Sequence, residues 1–161
     1  MEETELLFPL FDWFELSWLG QFVRQSLWQF PVIEAAHLVG LCVLGGSLLI
    51  VDLRMFGVGL KNQRISELAE AARPYLLWSV VWMLVTGLLL FLSEAVKAYY
   101  NTSWWVKMYA LAVALVYTFV YRARVTRDPT LDTSRRSRLV AAGSIGIWFL
   151  VAAAGRWIGF S

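Results

Sequence analysis

The chain has 161 residues, of which 59% are hydrophobic and only 16% are charged, with a single histidine and a single cysteine. This composition is too apolar for a soluble domain of that length and predicts an integral membrane protein. The formal net charge of +2 is too small to indicate nucleic-acid binding. The lone Cys42 gives no disulfide framework and no Cys–Cys or Cys–His metal spacing.

The N-terminal segment, MEETELLFPLFDWFEL, is acidic where a secretory signal peptide would be basic, and no small-residue cleavage site follows it. We therefore expect it to belong to the mature protein. Between Pro9 and Pro31, apolar and polar residues follow a helical period, which is typical of an amphipathic helix lying at a membrane interface. Residues 1–30 are thus predicted to form an interfacial leader.

Four later stretches are apolar enough, and long enough, to cross a hydrocarbon core, which needs roughly 20 residues of helix. They cover residues 31–51, 75–93, 104–121 and 139–160. The sequence therefore predicts an all-α fold, an integral membrane four-helix bundle preceded by the interfacial leader. We expect residues 1–161 to form one transmembrane domain.

Lys and Arg residues are concentrated in the first and third connections between these spans. Because positively charged loops stay in the cytoplasm during insertion, we expect a multi-pass protein of the bacterial inner membrane with both termini on the periplasmic side.

Three local features are predicted near the span ends. Asp52 and Arg54 are expected to form a surface pair or a cap. Pro74 is expected at the first position of the second span, where proline is tolerated, after one or two separate helical turns. The sequence Asn-Thr-Ser at 101–103 predicts a helix start with one of its two hydroxyl residues as N-cap.

Five ionisable residues are predicted at one depth, near the periplasmic end of the spans. The helices alternate in direction and each residue advances the axis by about 1.5 Å, so one ionisable group or more from every span reaches this level. The residues, which we call the polar layer, are Glu34, His37, Glu94, Lys107 and Arg156. Charges inside a membrane are costly and usually face the bundle interior, so the polar layer is a candidate functional site.

Other interpretations of these residues are open. Lys107 and Arg156 are close enough to the surface for their charged ends to snorkel to the interface. Alternatively, Glu34 can form a buried ion pair with one of them. His37 favours a ligand or a proton-transfer role, because a buried imidazole needs both a donor and an acceptor satisfied.

Two glycines, Gly40 and Gly45, follow His37 by about one and two turns. They leave room either for a flat, bulky group or for a tightly packed neighbour.

Parts of the sequence resemble known families. The stretch IEAAHLVGLCVLGGSLLIVDLRMFG, with RQSLWQFPVIEAAH overlapping its start and AGRWIGF near the C-terminus, is similar to a group of small, mostly uncharacterised four-helix bacterial membrane proteins. More distantly, His37 and the segment SWWVKMYALAVALVY resemble the HemJ-type protoporphyrinogen oxidases and the CopD-type copper-resistance membrane proteins. In the HemJ-type family, histidine and lysine at the positions of His37 and Lys107 are associated with b-type haem. The chain lacks the further histidine that follows the first helix there, so that family's substrate chemistry is not carried over.

The distant resemblance implies a membrane-embedded protein that binds haem b and acts in electron transfer or porphyrin redox chemistry near the outer leaflet. Whether it turns over a substrate as an oxidoreductase is left open by the resemblance. His37 would be the axial metal ligand. Lys107 and Arg156 would lie near the haem propionates or the second axial site, and Glu34 would orient the imidazole or move a proton.

Two alternatives accompany this hypothesis. The first is a non-enzymatic membrane subunit, or a metal or proton transport component, whose polar layer is structural or conductive. The second is a quinone site near Tyr109 and Trp104. Expected partners are membrane lipid, a redox partner or quinone, and further copies of the chain or a larger membrane complex.

Overall fold

A computed structural model of the chain describes residues 2–132 and 134–160 and, from residue 6 onward, their side chains. The described part is all-α, as predicted, and contains no strand. Its α-helices are α1 (Glu2–Glu15), α2 (Trp18–Gln25), α3 (Gln29–Phe56), α4 (Ile65–Ser93), α5 (Ala95–Tyr100), α6 (Thr102–Val116), α7 (Ala123–Thr126) and α8 (Arg135–Trp157).

Four helical segments are long and apolar enough to cross a membrane, so the chain is a multi-pass membrane protein. The first two spans are α3 and α4. The third comprises α6, a π-helical turn at Tyr117–Arg122 and α7, and the fourth comprises α8 and a short 3-10 turn. Large apolar side chains such as Trp78, 76% exposed, cover the outside of the bundle, because lipid takes the place of a core there.

The spans pack in an order that places α3 and α8 at the centre. The most extensive contacts join α3 to α4, α6 to α8 and α3 to α8. We call the end of the bundle that carries α1, α2 and α5 the leader end. We call the other, which carries residues 57–64 and 127–132, the loop end. A buried apolar cluster that includes Val51, Met55 and Val140 holds α3, α4, α7 and α8 together near the loop end.

The leader forms two helices that pack on the bundle. The Ser17 side chain caps α2 by accepting from the Gly20 amide at 3.2 Å. A Cβ on Gly20 would lie 2.5 Å from the Leu92 carbonyl oxygen, so only glycine allows α2 to approach α4 this closely.

Aromatic packing and one carboxylate hold α1 and α2 against α5. Phe11 is 6% exposed and its ring packs edge-on against that of Tyr99. The Glu15 carboxylate pairs with Arg24 of α2 and accepts from the Val96 amide of α5 at 2.7 Å. Because α5 follows the second span directly, these contacts fix the leader to the bundle.

Two local predictions are corrected. Helix α4 is continuous from Ile65 through Pro74, so the second span does not begin at the proline. Ile65 and Leu68 are 2% and 8% exposed. They pack into the core at the loop end and so stabilise the helical turns that precede Pro74. The predicted start of α6 is present, but Asn101 is its N-cap, since its side-chain oxygen accepts from the amides two and three residues on.

Candidate functional site

His37 is half-buried on α3, and its ring is held in one orientation by α4. Its Nδ1 atom lies 2.8 Å from Oγ1 of Thr86. The Thr86 hydroxyl donates its one proton to the Trp82 carbonyl at 2.7 Å, so its oxygen accepts from the imidazole. This network assigns the ring proton to Nδ1 and leaves a lone pair on Nε2. An imidazole prepared in this way can ligate a metal.

Glycines shape the surroundings of the imidazole. A Cβ on Gly87 would lie 3.3 Å from Cε1 of His37, so the ring packs directly on the backbone of α4. At Gly40 a Cβ would lie 2.5 Å from Cδ1 of Trp82, whose indole N–H donates to a backbone carbonyl of α3 at 2.8 Å. Gly40 therefore accommodates a packed neighbour, whereas a Cβ on Gly45 would meet nothing within 4 Å.

Lys107 of α6 lies against α8. Its Cε and Nζ atoms lie 3.5 and 3.6 Å from the position of a Cβ on Gly155 of α8. In the described part of the chain Lys107 forms no ion pair. An unpaired ammonium within a span is costly, so this region suits an anionic group.

The other members of the polar layer lie at the surface. Glu34 and Arg156 are exposed, and the Arg156 guanidinium stands 4.5 Å from the centre of the Phe160 ring. Glu94 pairs with Lys97 at 3.5 Å. The structure thus places His37 against α4 and Lys107 against α8. The partner of the imidazole is the Thr86 oxygen and not Glu34.

A second buried polar cluster lies nearer the loop end, and the sequence did not predict it. Oδ1 of Asp52 accepts from Nε of Arg122 at 2.7 Å, and Oδ2 accepts from the Ser144 hydroxyl at 2.7 Å. Arg122 also donates to the Leu48 carbonyl at 3.2 Å. Asp52, Arg122 and Ser144 are 1%, 5% and 0% exposed. The cluster joins the first, third and fourth spans with its charges paired.

The predicted surface pair or cap of Asp52 with Arg54 is wrong. Arg54 instead donates to the Gln63 carbonyl at 2.7 Å and so ties α3 to the connection before α4. Residues two apart on a helix point in different directions, and this spacing was the available signal against the local pair.

The π-helical turn at Tyr117–Arg122 places Arg122 in this cluster. Here the Ala123 amide donates to the carbonyl of Thr118, five residues back, whereas in an α-helix the acceptor lies four residues back. Thr118 is 1% exposed and accepts from the Trp148 indole at 3.0 Å. Such wide turns are frequent at functional sites.

No group of three or more His, Cys, Asp or Glu side chains that could hold a metal ion is present in the part of the chain that the structure describes. In that part of the chain, at most one further side chain of these types could therefore share a metal with His37.

Comparison with protein families gives one assignment. The chain belongs to the DUF6644 family, a family of unknown function, which it matches over residues 10–161. This supports the similarity to an uncharacterised family that the sequence indicated, and it gives no link to the HemJ-type or CopD-type proteins. No curated protein and no solved structure matches the chain.

Proposed function

We propose that the protein binds haem b inside the membrane and acts in electron transfer or porphyrin redox chemistry near the leader end. The observation that carries the proposal is the hydrogen bond from His37 to Thr86, because it fixes the tautomer that leaves Nε2 free for iron. The distant resemblance of the His37 and Lys107 positions to haem-binding residues of the HemJ-type family agrees with this assignment.

The residues present fit a haem in two respects. His37 would supply one axial nitrogen, and Thr86 would hold the ring against rotation. Lys107, which has no ion pair in the described chain, would attract a propionate or approach the second axial position. When bound, the haem would supply one-electron chemistry at its iron.

Arg156 and Glu34 would act from the rim. Arg156 is exposed at the end of the fourth span, where a guanidinium can meet a propionate near the interface. The exposed Glu34 carboxylate, about three residues' rise from the His37 level, would exchange protons with the solvent side.

The absorption spectrum of the detergent-purified protein after addition of haem b tests the proposal. We expect a Soret band that is lost in His37→Ala, because no other histidine is available. Thr86→Val keeps the shape of the side chain but removes the acceptor, so it should retain the band and weaken haem affinity about 10- to 100-fold. Cys42→Ala, at an exposed position on the same helix, is the matched control and should bind as the wild type does. A protein that stays colourless after loading, or a His37→Ala spectrum equal to that of the wild type, contradicts the assignment.

We also propose that the leader end faces the periplasm of a bacterial inner membrane, because the loop end carries most of the Lys and Arg residues. In a Cys42→Ser background, Lys97→Cys should react with a membrane-impermeant maleimide added to intact cells, and Arg127→Cys should react only after lysis. The reverse pattern would invert the topology.

A further inference from the structure

Exposed arginines are concentrated at the loop end, where the third span ends and the fourth begins. We call five of them the arginine patch: Arg124, Arg127, Arg135, Arg136 and Arg138. All five side chains are exposed, and none forms an ion pair with a carboxylate that the structure describes. Between residues 122 and 138 the chain has only two carboxylates, Asp128 and Asp132, so the patch keeps a net positive charge.

The two span ends that carry the patch pack against each other. Val125 of α7 lies in one buried cluster with Val140 and Ala141 of α8. Since Ser137 of α8 is also buried, the core side of this first stretch of the helix is occupied. The arginines of α8 therefore project from its opposite, outward side.

The loop between the spans connects the two halves of the patch. Hydrogen bonds from Thr130 are the main reason that the pKa of Asp128 lies below its ordinary value, and the charge of Arg136 lowers it further. Arg136 therefore lies near Asp128, which directly follows Arg127 in the chain. The arginines of both span ends thus contribute to one positively charged surface.

This surface lies at the boundary of the hydrocarbon core. The third span ends at Thr126 and the fourth begins at Arg135. Next to the arginines, on the membrane side, the apolar side chains of Val120 and Leu139 are 46% and 64% exposed. A positive rim beside an exposed apolar surface is complementary to a phospholipid, whose phosphate lies directly beside its acyl chains. A soluble acidic protein or a nucleic acid would leave the apolar part uncovered.

We infer that the arginine patch binds the phosphate groups of anionic phospholipids in the surrounding leaflet. A guanidinium group can donate two parallel N–H groups to one phosphate, whereas a lysine ammonium acts as a point charge. The orientation of the chain in the membrane depends on positive charge, which lysine and arginine supply alike. Replacement of these arginines by lysine should therefore keep the orientation of the protein and weaken its binding of phosphate groups.

Native mass spectrometry of the delipidated, full-length protein in detergent measures this binding. The probe is cardiolipin, which carries two phosphate groups, and the zwitterionic phosphatidylcholine is the reference lipid. We expect saturable cardiolipin adducts that form at lower lipid concentration than phosphatidylcholine adducts. Inorganic phosphate at the same concentration should not compete, because it lacks acyl chains. No haem is added, so the result does not depend on the proposed function.

Two double variants test the contribution of the arginines. Arg135→Gln with Arg136→Gln should weaken cardiolipin binding roughly 25-fold, since each basic residue near the membrane surface contributes about five-fold. Arg135→Lys with Arg136→Lys keeps the charge and should bind with intermediate affinity. Lys61→Gln is the control, because it removes an exposed positive charge from the other connection of the loop end. It should bind as the wild type does.

Four results overturn the inference. They are equal affinity of the wild type for the two lipids, equal cardiolipin affinity of the glutamine double variant and the wild type, a loss in Lys61→Gln as large as that from one arginine, and competition by inorganic phosphate. The third would leave only a diffuse attraction of charge, and the fourth would make the ligand a free anion. Because the replaced side chains are exposed, the variants are expected to fold, and circular dichroism verifies this.

Discussion

Breaking the buried ion pair between Asp52 and Arg122 should destabilise the bundle strongly. In Arg122→Met, the carboxylate stays buried at 1% exposure with only the Ser144 hydroxyl as a partner. In Asp52→Leu, the guanidinium keeps only the Leu48 carbonyl. Removing one partner of a buried pair leaves an uncompensated charge, so each variant should lose about 3–5 kcal/mol of the free energy of unfolding.

The double variant, Asp52→Leu with Arg122→Met, should be more stable than either single variant. It buries two apolar side chains of similar length and leaves no charge, and such replacements are often neutral or stabilising. The Ser144 hydroxyl can then donate to the carbonyl four residues earlier on α8. The coupling between the two sites should therefore be at least about 3 kcal/mol, since it equals or exceeds the cost of a single variant.

Equilibrium unfolding in mixed micelles of increasing SDS content, followed by circular dichroism, measures these differences. Arg124→Met is the control, because Arg124 is an exposed arginine two residues away and its replacement should change the free energy of unfolding by no more than about 0.5 kcal/mol. The reasoning fails if the losses of the two single variants simply add in the double variant, or if Arg122→Met behaves like Arg124→Met.

Two further predictions concern a close helix contact and a hydrogen bond. Gly40→Ala should cost about 1–3 kcal/mol in the same unfolding assay, because the new methyl group meets the Trp82 ring at 2.5 Å. A Cβ on Gly45 would lie in open space, so Gly45→Ala should raise the free energy of unfolding by up to about 1 kcal/mol. Equal changes in the two variants would contradict the close contact at Gly40. Glu15→Gln should speed hydrogen exchange at the Val96 amide, because that amide donates a hydrogen bond to the carboxylate at 2.7 Å. Mass spectrometry of peptides from α5 measures the exchange rate, and an unchanged rate would refute the prediction.

The spans could be predicted from sequence because hydrocarbon imposes a length and a composition on any helix that crosses it. Their ends could not, because they depend on tertiary contacts. The second span extends well before Pro74, since Ile65 and Leu68 pack into the core at the loop end. The division of the leader into two helices likewise depends on the close approach of Gly20 to α4.

For the candidate site, the depth of each residue in the membrane could be predicted from the sequence, but the direction in which its side chain points could not. Counting residues along each helix placed Glu34 and His37 near one level, but residues three apart differ in direction by about 60°. That angle separates an exposed carboxylate from an imidazole that reaches Thr86. Asp52 and Arg122 are 70 residues apart in sequence, and no local pattern joins them.

The wide turn at Tyr117–Arg122 has a consequence for the evolution of the family. If the same residues adopted the ordinary α-helical pitch without the loss of one of them, everything after this stretch would rotate by about 100°. The arginine that now pairs with Asp52 would then face lipid, and the Asp52 carboxylate would lose its charged partner. Loss of one residue from this stretch would instead remove the extra residue that the wide turn accommodates, so a relative with a shortened helix at ordinary pitch can keep the arginine facing the acid at position 52.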